Sequence, residues 1–412
     1  KQDTSDAHGA PLGEDEILAT KKNIGWKYKK KFFVPKEVYD LFKERNKQLK
    51  AQHRKWNREL RSWEKENPQL ARTRTSMLEK NIPRTLESRL MKVLPDKPAA
   101  TRAISGAVLQ EAAKIMPGLT GGSADLAPSN KTYIKDSEPV SAVDFSGRNF
   151  HFGIREHAMG AALNGMALYG GWIPYGGTFL VFSDYMKTPI RLSALMEQQV
   201  IYVFTHDSFY VGEDGPTHQP IEHLTMLRSI PNVHLFRPAD GVETAIAWAC
   251  AIRRTDGPTI LSLTRQGVPK LKRPNGFMTD AVKRGGYVLA DAAGGKPDMT
   301  IVAAGSEVGL AVDTKKLLGK YGKSIRIVSI PCMEIFDAQP ESYRKKVIPP
   351  GCEKLVAMEA GSAMSWYKYV GKDGLVISLD HFGESAPGTK LADHFGFTPK
   401  KATARIKDFF SL

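Results

Sequence analysis

The sequence predicts an α/β protein with two doubly wound, mostly parallel-sheet domains, preceded by a helical remnant of a third domain. Helical and strand patterns alternate from about residue 66 to the C-terminus. The segment Val200-Ile201-Tyr202-Val203-Phe204 is continuously apolar. Such a run is typical of a strand in a parallel sheet that is covered on both faces. A stretch rich in Lys, Arg, Pro and Gly, from Pro269 to Val282, predicts a linker between the two sheets.

Residues 1–65 predict a domain tail plus linker. A loop rich in Gly, His and Pro comes first, and a charged helix runs from Pro35 to about Glu66. This stretch contains too few strands to form a domain alone. Because the chain opens at Lys1 without Met, we expect it to be a piece of a longer protein.

Residues 66–275 predict the first complete α/β domain, and residues 276–412 the second. The pattern of the first domain predicts strands Phe150–Ile154, Trp172–Gly176, Val200–Thr205, Val233–Phe236, Thr259–Thr264 and one ending at Ser123, with helices Ala99–Ile115, Glu156–Tyr169, Phe179–Met196, Ile221–Ser229 and Gly241–Ile252. The pattern of the second domain predicts strands Thr300–Ala303, Ile325–Ile330 and Lys354–Met358, with helix Glu307–Lys320.

The composition excludes several classes of protein. The chain has 412 residues, of which 42% are hydrophobic and 25% charged, as in ordinary globular proteins. No apolar run approaches the roughly 20 residues of a membrane helix. Cys250, Cys332 and Cys352 are scattered and lack ligand spacing, which predicts free thiols in a reducing, cytoplasmic compartment. We therefore expect no membrane association and no metal site built from this chain.

The positive charge is concentrated at the start of the chain. Residues 1–100 contain 24 Lys and Arg against 14 Asp and Glu, or +10 of the total +15. A basic helix can bind nucleic acid. However, Glu59, Glu64 and Glu66 are interspersed and no nucleic-acid motif accompanies them, so a solvated helix face is favoured. We expect no nucleic-acid partner, although a positive field attracts phosphorylated substrates.

A carboxylate and three spaced aromatic residues predict a heterocycle site. Glu156 opens a predicted helix, and Phe179, Phe182 and Tyr185 recur at i, i+3 and i+6 on one face of the next. An aromatic shelf stacks a flat ring, and a carboxylate binds a protonated ring nitrogen. The aminopyrimidine end of thiamine diphosphate needs this arrangement. Alternatively, Glu156 is only a helix-capping acid and at least one aromatic is core.

Other polar residues follow predicted strand ends. Asp125 and Ser129 come after the strand ending at Ser123, His206 follows Val200–Thr205, and Arg265 follows the last strand of the domain. Ligands of open α/β sheets gather at the carboxyl ends of strands. We therefore expect these side chains to lie near one ligand site.

Five longer runs resemble the transketolase family. They are Gly121-Gly122-Ser123-Ala124-Asp125-Leu126-Ala127-Pro128-Ser129-Asn130, Gly153-Ile154-Arg155-Glu156, Gly212-Glu213-Asp214-Gly215-Pro216-Thr217-His218-Gln219-Pro220, Ser262-Leu263-Thr264-Arg265-Gln266 and Asp380-His381-Phe382-Gly383-Glu384-Ser385-Ala386-Pro387-Gly388. The resemblance extends from Asp6 almost to the C-terminus and implies the thiamine-diphosphate-binding fold superfamily. The implied reaction is ketol transfer, the transferase activity of the pentose phosphate pathway that moves a two-carbon unit from a ketose phosphate to an aldose phosphate.

One departure from the family is large. The family's N-terminal domain carries a Gly-Asp-Gly…Asn motif for Mg²⁺ and diphosphate, and this chain contains no Gly-Asp-Gly. We therefore expect that domain to be absent and the Mg²⁺ ligands to lie on it. The resemblance also implies a homodimer with the cofactor at the interface, and an N-terminal transketolase domain or fragment as partner. We expect residues 1–412 alone to bind the cofactor poorly and to turn over nothing.

The resemblance implies cofactor roles for several residues. Glu156 would bind the pyrimidine N1′, which favours the imino form of the 4′-amino group that takes the proton from thiazolium C2. Phe182 would stack on the ring, and Phe179 and Tyr185 would line its pocket. The remaining implied contacts are Asp125 and Leu126 near the cofactor and dimer interface, and His8 near the diphosphate and substrate.

The resemblance implies substrate-binding roles for further residues. Arg102, Ser129 and Arg265 would clamp a phosphate, which guanidinium groups bind bidentately. The side chains expected to contact sugar hydroxyl or carbonyl oxygens are His206, Asp214 and His218. Among these, His218 is expected to be catalytic together with Glu156 and His8.

Two alternative functions remain open on the sequence. One is another thiamine enzyme, such as 1-deoxyxylulose-5-phosphate synthase or a 2-oxoacid dehydrogenase β-subunit, which would share the Glu and the sheet. The other is an inactive fragment or an interaction protein that uses the basic N-terminal region.

Overall fold

The computed structural model describes all 412 residues, which fall into two units, Lys1–Arg72 and Thr73–Leu412. The first unit is helical. It contains α1 (Asp6–Gly9), α2 (Glu14–Asn23), α3 (Lys36–Glu66) and the beginning of α4 (Pro68–Leu78), which continues into the second unit. No side chain of α1, α2 or α3 is buried, in agreement with the predicted solvated, charged helix.

The second unit contains two mostly parallel sheets and a short antiparallel strand pair. Its strands are β1 (Ala99–Ala100), β2 (Leu119–Ser123), β3 (Asn149–His151), β4 (Ile173–Phe179), β5 (Ile201–Thr205), β6 (His234–Phe236), β7 (Thr259–Leu263), β8 (Gly267–Val268), β9 (Tyr287–Ala290), β10 (Met299–Ala303), β11 (Ile325–Ser329), β12 (Leu355–Met358) and β13 (Leu375–Ile377). Only β1 and β8 lie outside the two sheets, where they pair with each other in antiparallel fashion.

Helices connect and cover these strands. They are α5 (Leu86–Lys92), α6 (Thr101–Ile115), α7 (Ala127–Asn130), α8 (Glu156–Tyr169), α9 (Lys187–Leu195), α10 (His223–Arg228), α11 (Gly241–Arg253), α12 (Asp280–Lys283), α13 (Glu307–Gly319), α14 (Met333–Asp337), α15 (Glu341–Val347), α16 (Tyr367–Val370), α17 (Gly388–His394) and α18 (Pro399–Phe409). Short 3₁₀ helices occur at Leu180–Met186, Phe209–Val211, Ala293–Gly295 and Ala363–Ser365.

The first sheet has six parallel strands in the order β3-β2-β4-β5-β7-β6. Both of its faces are covered by apolar clusters. One cluster contains Val108 of α6 and Trp248 of α11, and the other contains Leu163 of α8 and Ile190 of α9. Each such side chain contributes about 1.5–3 kcal/mol when fully buried. This burial on both faces explains why β5 is apolar throughout, and it confirms the predicted α/β class.

The second sheet has five strands in the order β13-β12-β10-β11-β9. The strands are parallel except β9, an edge strand that pairs antiparallel with β11. Neither β9 nor β13 was predicted. The side chains of β9 alternate between buried and half-buried, and its four-residue length gives only a weak sequence signal.

The predicted linker is anchored to the rest of the unit. Leu271 and Val282 are buried in the apolar cluster that surrounds the second sheet. Arg273 donates hydrogen bonds from Nη1 and Nη2 to the Asp240 carboxylate, at 2.7 and 2.8 Å. The segment between the two sheets is therefore packed against its surroundings by two buried apolar residues and an ion pair with the N-cap of α11.

The predicted helix Phe179–Met196 is wrong in its first half. Phe179 is the last residue of β4, a 3₁₀ helix follows from Leu180 to Met186, and only then does α9 begin. A repeat of three residues matches the 3.0 residues per turn of a 3₁₀ helix better than the 3.6 of an α-helix. The spacing of the three aromatics therefore indicated the correct shared face and the wrong helix type.

The helices of the chain are all too short or too polar to cross a membrane.

Candidate active site

The site is built at the carboxyl ends of neighbouring strands of the first sheet. In the order β2-β4-β5-β7, these ends lie side by side. Ser123 ends β2, Phe179 ends β4, Thr205 ends β5 directly before His206, and Arg265 lies two residues beyond β7. The sheet therefore brings together the strand-end residues that the sequence placed far apart.

Glu156 is a buried carboxylate at the N-terminus of α8. Its side chain accepts a hydrogen bond at Oε1 from Thr178 Oγ1, at 3.3 Å, and makes no other hydrogen bond within the chain. The first turn of a helix stabilises a negative charge through its free N–H groups. Thr178 immediately precedes Phe179 in β4. The carboxylate therefore lies at the base of the aromatic residues, with one oxygen free of protein partners.

Phe179, Phe182 and Tyr185 form a continuous ring stack, named here the aromatic ridge. The ring centroids of Phe179 and Phe182 are 5.7 Å apart at an interplanar angle of 8°. The next pair, Phe182 and Tyr185, is 6.1 Å apart at 29°. Phe182 and Tyr185 belong to the 3₁₀ helix, in which side chains at i and i+3 eclipse, and Phe179 directly precedes that helix. Exposure increases along the ridge, from buried Phe179 to Tyr185, which is 65% exposed.

The rings of His206 and His218 also contact the aromatic ridge. The His206 ring stacks on Phe179 with centroids 3.7 Å apart, and His218 presents an edge to Phe182 at 5.5 Å. Burial, helped by the positive charges of Arg102, Arg265 and His218, lowers the pKa of His206 to about 3. His206 is therefore neutral near pH 7, although its residue type normally titrates just below that value.

A row of buried polar groups runs beneath His206. Asn130, at the end of α7, donates from Nδ2 to the Thr178 carbonyl at 3.0 Å and to Thr205 Oγ1 at 2.7 Å. Its Oδ1 accepts from Ser123 Oγ at 3.3 Å, and Thr205 Oγ1 lies 2.7 Å from His206 Nδ1. Sequence reasoning gave Asn130, Thr178 and Thr205 no role, because their function depends on strands that are adjacent only in the folded sheet.

Two guanidinium groups converge beside the histidines. Arg102 donates from Nη1 to the Ser129 carbonyl at 2.8 Å, and burial together with the neighbouring charge of Arg265 lowers its pKa. Neither Arg102 nor Arg265 forms an ion pair with a carboxylate in this chain, and Arg265 is exposed. Two like charges held together without an acid form a site that suits a dianionic ligand. Ser129 therefore lies beside Arg102 through its backbone carbonyl.

The second sheet's domain holds the loop that carries Asp214 and His218. Gln219 donates from Nε2 to the Gly212 carbonyl at 2.8 Å and to the Glu384 carbonyl at 2.9 Å. Ser385 Oγ donates to the Glu213 carbonyl. The run from Asp380 to Gly388 therefore fixes the shape of the loop in which the sequence predicts substrate contacts.

Gly383 makes this attachment possible. A Cβ built on Gly383 would lie 1.6 Å from Gln219 Oε1, so any other residue here forces the Gln219 side chain to move away from its present position. Gly212 and Gly215, at the turns of the same loop, have φ of +86° and +76°, a region that glycine adopts without strain. Asp214 is exposed, and His218 Nδ1 lies 2.9 Å from Thr217 Oγ1.

The sequence also predicts Asp125, Leu126 and His8 as site residues. Asp125 is exposed, has φ of +61°, and lines a cavity of about 650 Å³ together with Ser123 and Pro128. Leu126 donates its backbone N–H to Ser123 Oγ at 2.7 Å. His8 lies in the first unit, exposed on α1, so the geometry of the second unit does not include it.

Comparisons with known proteins agree with this geometry. The chain matches three family models: the transketolase thiamine diphosphate binding domain over residues 1–83, the transketolase pyrimidine binding domain over residues 97–270, and the transketolase-like C-terminal domain over residues 285–398. A curated transketolase of Geobacillus stearothermophilus is 47% identical over 408 residues, or 99% of this chain and 61% of that protein.

Solved structures are similar over nearly the whole chain. Transketolase from Leishmania mexicana gives a TM-score of 0.90 at 38% identity, covering 98% of this chain and 58% of that one. Transketolase from Pichia stipitis in complex with sedoheptulose-7-phosphate gives 0.90 at 38% identity, covering 98% and 60%.

The matches also correct one expectation. The predicted absence of the diphosphate-binding domain is not supported, because residues 1–83 match the model of that domain. The chain spans about 60% of the length of the curated relatives that it matches. With three successive transketolase domain models matched in order, and a fold shared with solved transketolases, the chain belongs to the transketolase family.

Proposed function

We propose that this chain forms the pyrimidine-binding side of a transketolase active site. In this function it transfers a two-carbon ketol unit from a ketose phosphate to an aldose phosphate in the pentose phosphate pathway. The observation that carries the proposal is the buried Glu156 carboxylate, with one unpartnered oxygen, at the base of the aromatic ridge. A weakly basic, flat heterocycle fits both parts.

The residues of the site fit the aminopyrimidine ring of thiamine diphosphate. One face of Phe179 is covered by His206, so Phe182 has the more accessible face for stacking. Glu156 would accept a hydrogen bond from protonated N1′ and hold that proton in place. When bound, the cofactor supplies the nucleophilic carbon that the protein lacks. The chain's own tasks are to bind the ring, orient it and place proton-transfer groups around it.

The substrate would bind between the guanidinium pair and the loop of His218. Arg102 and Arg265 provide two uncompensated positive charges for a phosphate, with Ser129 beside them. Asp214, His206 and His218 would contact the oxygens of the sugar. Since Thr217 occupies His218 Nδ1, His218 Nε2 is the nitrogen that exchanges protons with substrate. The similar Pichia stipitis structure contains sedoheptulose-7-phosphate, a substrate of this class.

A homodimer would complete the site. Ile154, just before α8, is 79% exposed, and Leu168 and Tyr169 at the end of α8 and Leu195 at the end of α9 are all more than half exposed. Exposed large apolar side chains of this kind are found at protein interfaces. Under this proposal the diphosphate and its Mg²⁺ bind to the partner subunit's N-terminal domain, His8 approaches that end of the cofactor, and Asp125 and Leu126 face the interface.

We also propose that the enzyme is cytoplasmic. Its domain boundaries are proposed at about residues 65 and 275. The chosen boundaries leave the six-stranded sheet in the middle domain and the five-stranded sheet in the last one. The boundary at about 275 lies between the second and third matched family models, whereas residue 65 lies inside the match of the first, which extends to residue 83.

The decisive experiment substitutes the carboxylate in the full-length protein. Glu156→Gln keeps the shape but removes the charge, and should lower kcat for ketol transfer by about 100-fold or more. Binding of thiamine diphosphate with Mg²⁺ is measured by calorimetry, and pyruvate is offered as a second donor. Glu341→Gln, an exposed acid on α15, is the matched control and should remain active. Unchanged turnover in Glu156→Gln, or a preference for pyruvate, would refute the proposal.

A further inference from the structure

We propose that Asn130 and Thr205 are positioning residues that hold His206 in the tautomer with its proton on Nε2. His206 then acts as a neutral hydrogen-bond donor toward a carbonyl or hydroxyl oxygen of the substrate, and proton transfer falls to His218. This inference deepens the proposed function and rests on it for the substrate, but the tautomer itself is a property of the chain.

The direction of the first hydrogen bond follows from the backbone. The Thr178 carbonyl lies 3.0 Å from Asn130 Nδ2, and a carbonyl oxygen can only accept. The amide of Asn130 must therefore turn its NH₂ group toward Thr178, since the flipped amide would oppose two oxygens. The second Nδ2 hydrogen then points at Thr205 Oγ1, 2.7 Å away. Ser123 Oγ donates to Oδ1 on the other side, which agrees with the same orientation.

The direction of the second bond follows from the first. Because Thr205 Oγ1 accepts from Asn130, its own hydrogen is available for His206 Nδ1 at 2.7 Å. The Nδ1 atom is then an acceptor. A neutral imidazole carries its single proton on the other nitrogen, Nε2. All bonds of this row point one way, from the Leu126 N–H through Ser123 and Asn130 and on to His206.

Burial makes the arrangement rigid. Asn130 and Thr205 are completely buried, Ser123 is 3% exposed, and the His206 ring is packed face to face on Phe179. Reversing one hydrogen bond would leave a buried donor or acceptor unpaired, which is costly in the protein interior. With Phe179 fixing the plane of the ring and Thr205 fixing its tautomer, His206 has one protonated nitrogen available to a ligand.

This arrangement gives His206 and His218 different chemical roles. A ring nitrogen that already carries a proton cannot accept another one, so His206 Nε2 donates without acting as a base. A donor preset toward the position where negative charge develops on oxygen stabilises a transition state without reorganisation. His218, which is half-buried and lies outside this row, retains an exchangeable nitrogen.

The tautomer is read directly by long-range ¹H–¹⁵N correlation spectra of the full chain labelled with ¹⁵N-histidine. The signal of His206 is assigned by its loss in His206→Gln. We expect a protonated Nε2 and an unprotonated Nδ1 in the wild type near pH 7. Asn130→Asp puts an acceptor in place of the NH₂ donor, so Thr205 would donate to the new carboxylate and His206 would switch to the Nδ1–H form. A wild-type spectrum with Nδ1–H, or a doubly protonated ring, overturns the inference.

Thr205 variants test the effect on catalysis. Thr205→Val keeps the shape without the hydroxyl, and Thr205→Ser restores the hydroxyl. In the full-length enzyme with cofactor, we expect Thr205→Val to lower kcat by about two- to tenfold, with little change in KM, and Thr205→Ser to recover it. Equal losses in both variants would show a packing role and contradict the positioning role. If the wild-type tautomer is as expected but no ketol transfer occurs, the proposed function fails and the tautomer assignment stands.

Discussion

Arg237 and Asp207 form a fully buried ion pair, with Nε of the arginine 2.9 Å from Oδ2 of the aspartate. Asp207 directly follows His206 at the end of β5, and Arg237 follows β6. The same guanidinium binds Glu307 and Glu359 of the second sheet's domain. Gly305, with φ of +60°, passes so close that a Cβ there would lie 2.7 Å from the Arg237 guanidinium carbon. The site and the second sheet are therefore joined by charge as well as by apolar packing.

Removing the arginine should destabilise the chain strongly. Arg237→Met leaves Asp207 and Glu307 buried without a cation, since Glu359 keeps its second partner, Arg228. Breaking a buried ion pair from one side costs about 3–5 kcal/mol of unfolding free energy. The measurement is urea unfolding followed by circular dichroism. Lys316→Met, which removes an exposed pair with Asp313, should change the unfolding free energy by less than about 1 kcal/mol. Equal effects of the two substitutions would contradict the structural role of Arg237.

Gly383 lies in the second sheet's domain, and adding a methyl group there should lower activity by disturbing the loop of Asp214 and His218. In Gly383→Ala the added carbon collides with Gln219, whose side chain fixes the loop of Asp214 and His218. A displacement of about 1 Å can cost about 100-fold in rate, so we expect kcat/KM to fall at least tenfold. Gly319→Ala is the control, because nothing lies within 4 Å of its added carbon. Steady-state kinetics of the full-length enzyme would reveal the difference, and full activity in Gly383→Ala would exclude this attachment.

Removing the Arg265 guanidinium should raise KM only for phosphorylated substrates. Arg265→Gln removes one of two uncompensated charges, and hydrogen bonds to charged groups contribute about 1.5–3 kcal/mol. We therefore expect KM for an aldose phosphate to rise about 10- to 100-fold, while turnover of the corresponding unphosphorylated aldose stays unchanged. Lys270→Gln, five residues away and paired with Asp96, controls for net charge. Equal losses on both substrates would remove Arg265 from the phosphate site.

The two histidines with lowered pKa should make the fold sensitive to acid. Burial lowers the pKa of His206 to about 3 and, with Arg254, that of His234 to about 4. In the unfolded chain both titrate near 6.5. Above that pH neither state binds these protons. Below it the unfolded chain takes them up and the folded chain does not, so the unfolding free energy decreases as pH falls from about 6.5 toward 4.

Each histidine should contribute at most about 1.4 kcal/mol per pH unit in that window. His206→Gln and His234→Gln should each reduce the slope of unfolding free energy against pH, and the double variant should reduce it by the sum. Urea unfolding at pH 6.5, 5.5 and 4.5 gives the slopes. A wild-type slope that neither substitution changes would show that other groups dominate.

Local patterns were sufficient for much of the fold. The apolar runs and caps predicted α8 with its bounds and placed most strands within one or two residues, because both signals are properties of neighbouring residues. Short edge strands such as β9 and β13 escaped prediction, since three or four residues carry little periodicity. The aromatic spacing correctly indicated a shared face for Phe182 and Tyr185, but the helix type depended on how β4 continues to Phe179.

Some site residues were likewise predictable from local sequence, and the roles of others were visible only in the folded chain. The sequence by itself determined the α/β alternation, the acid at position 156, the aromatic residues and the two arginines, because residue type and short-range spacing are written in the chain. Only the tertiary structure decided what Asn130, Thr205, Gln219, Gly383 and Arg237 do. Their partners lie up to 165 residues away in sequence, so the pairing exists only when neighbouring strands and the second sheet bring donor and acceptor within 3 Å and exclude water around them.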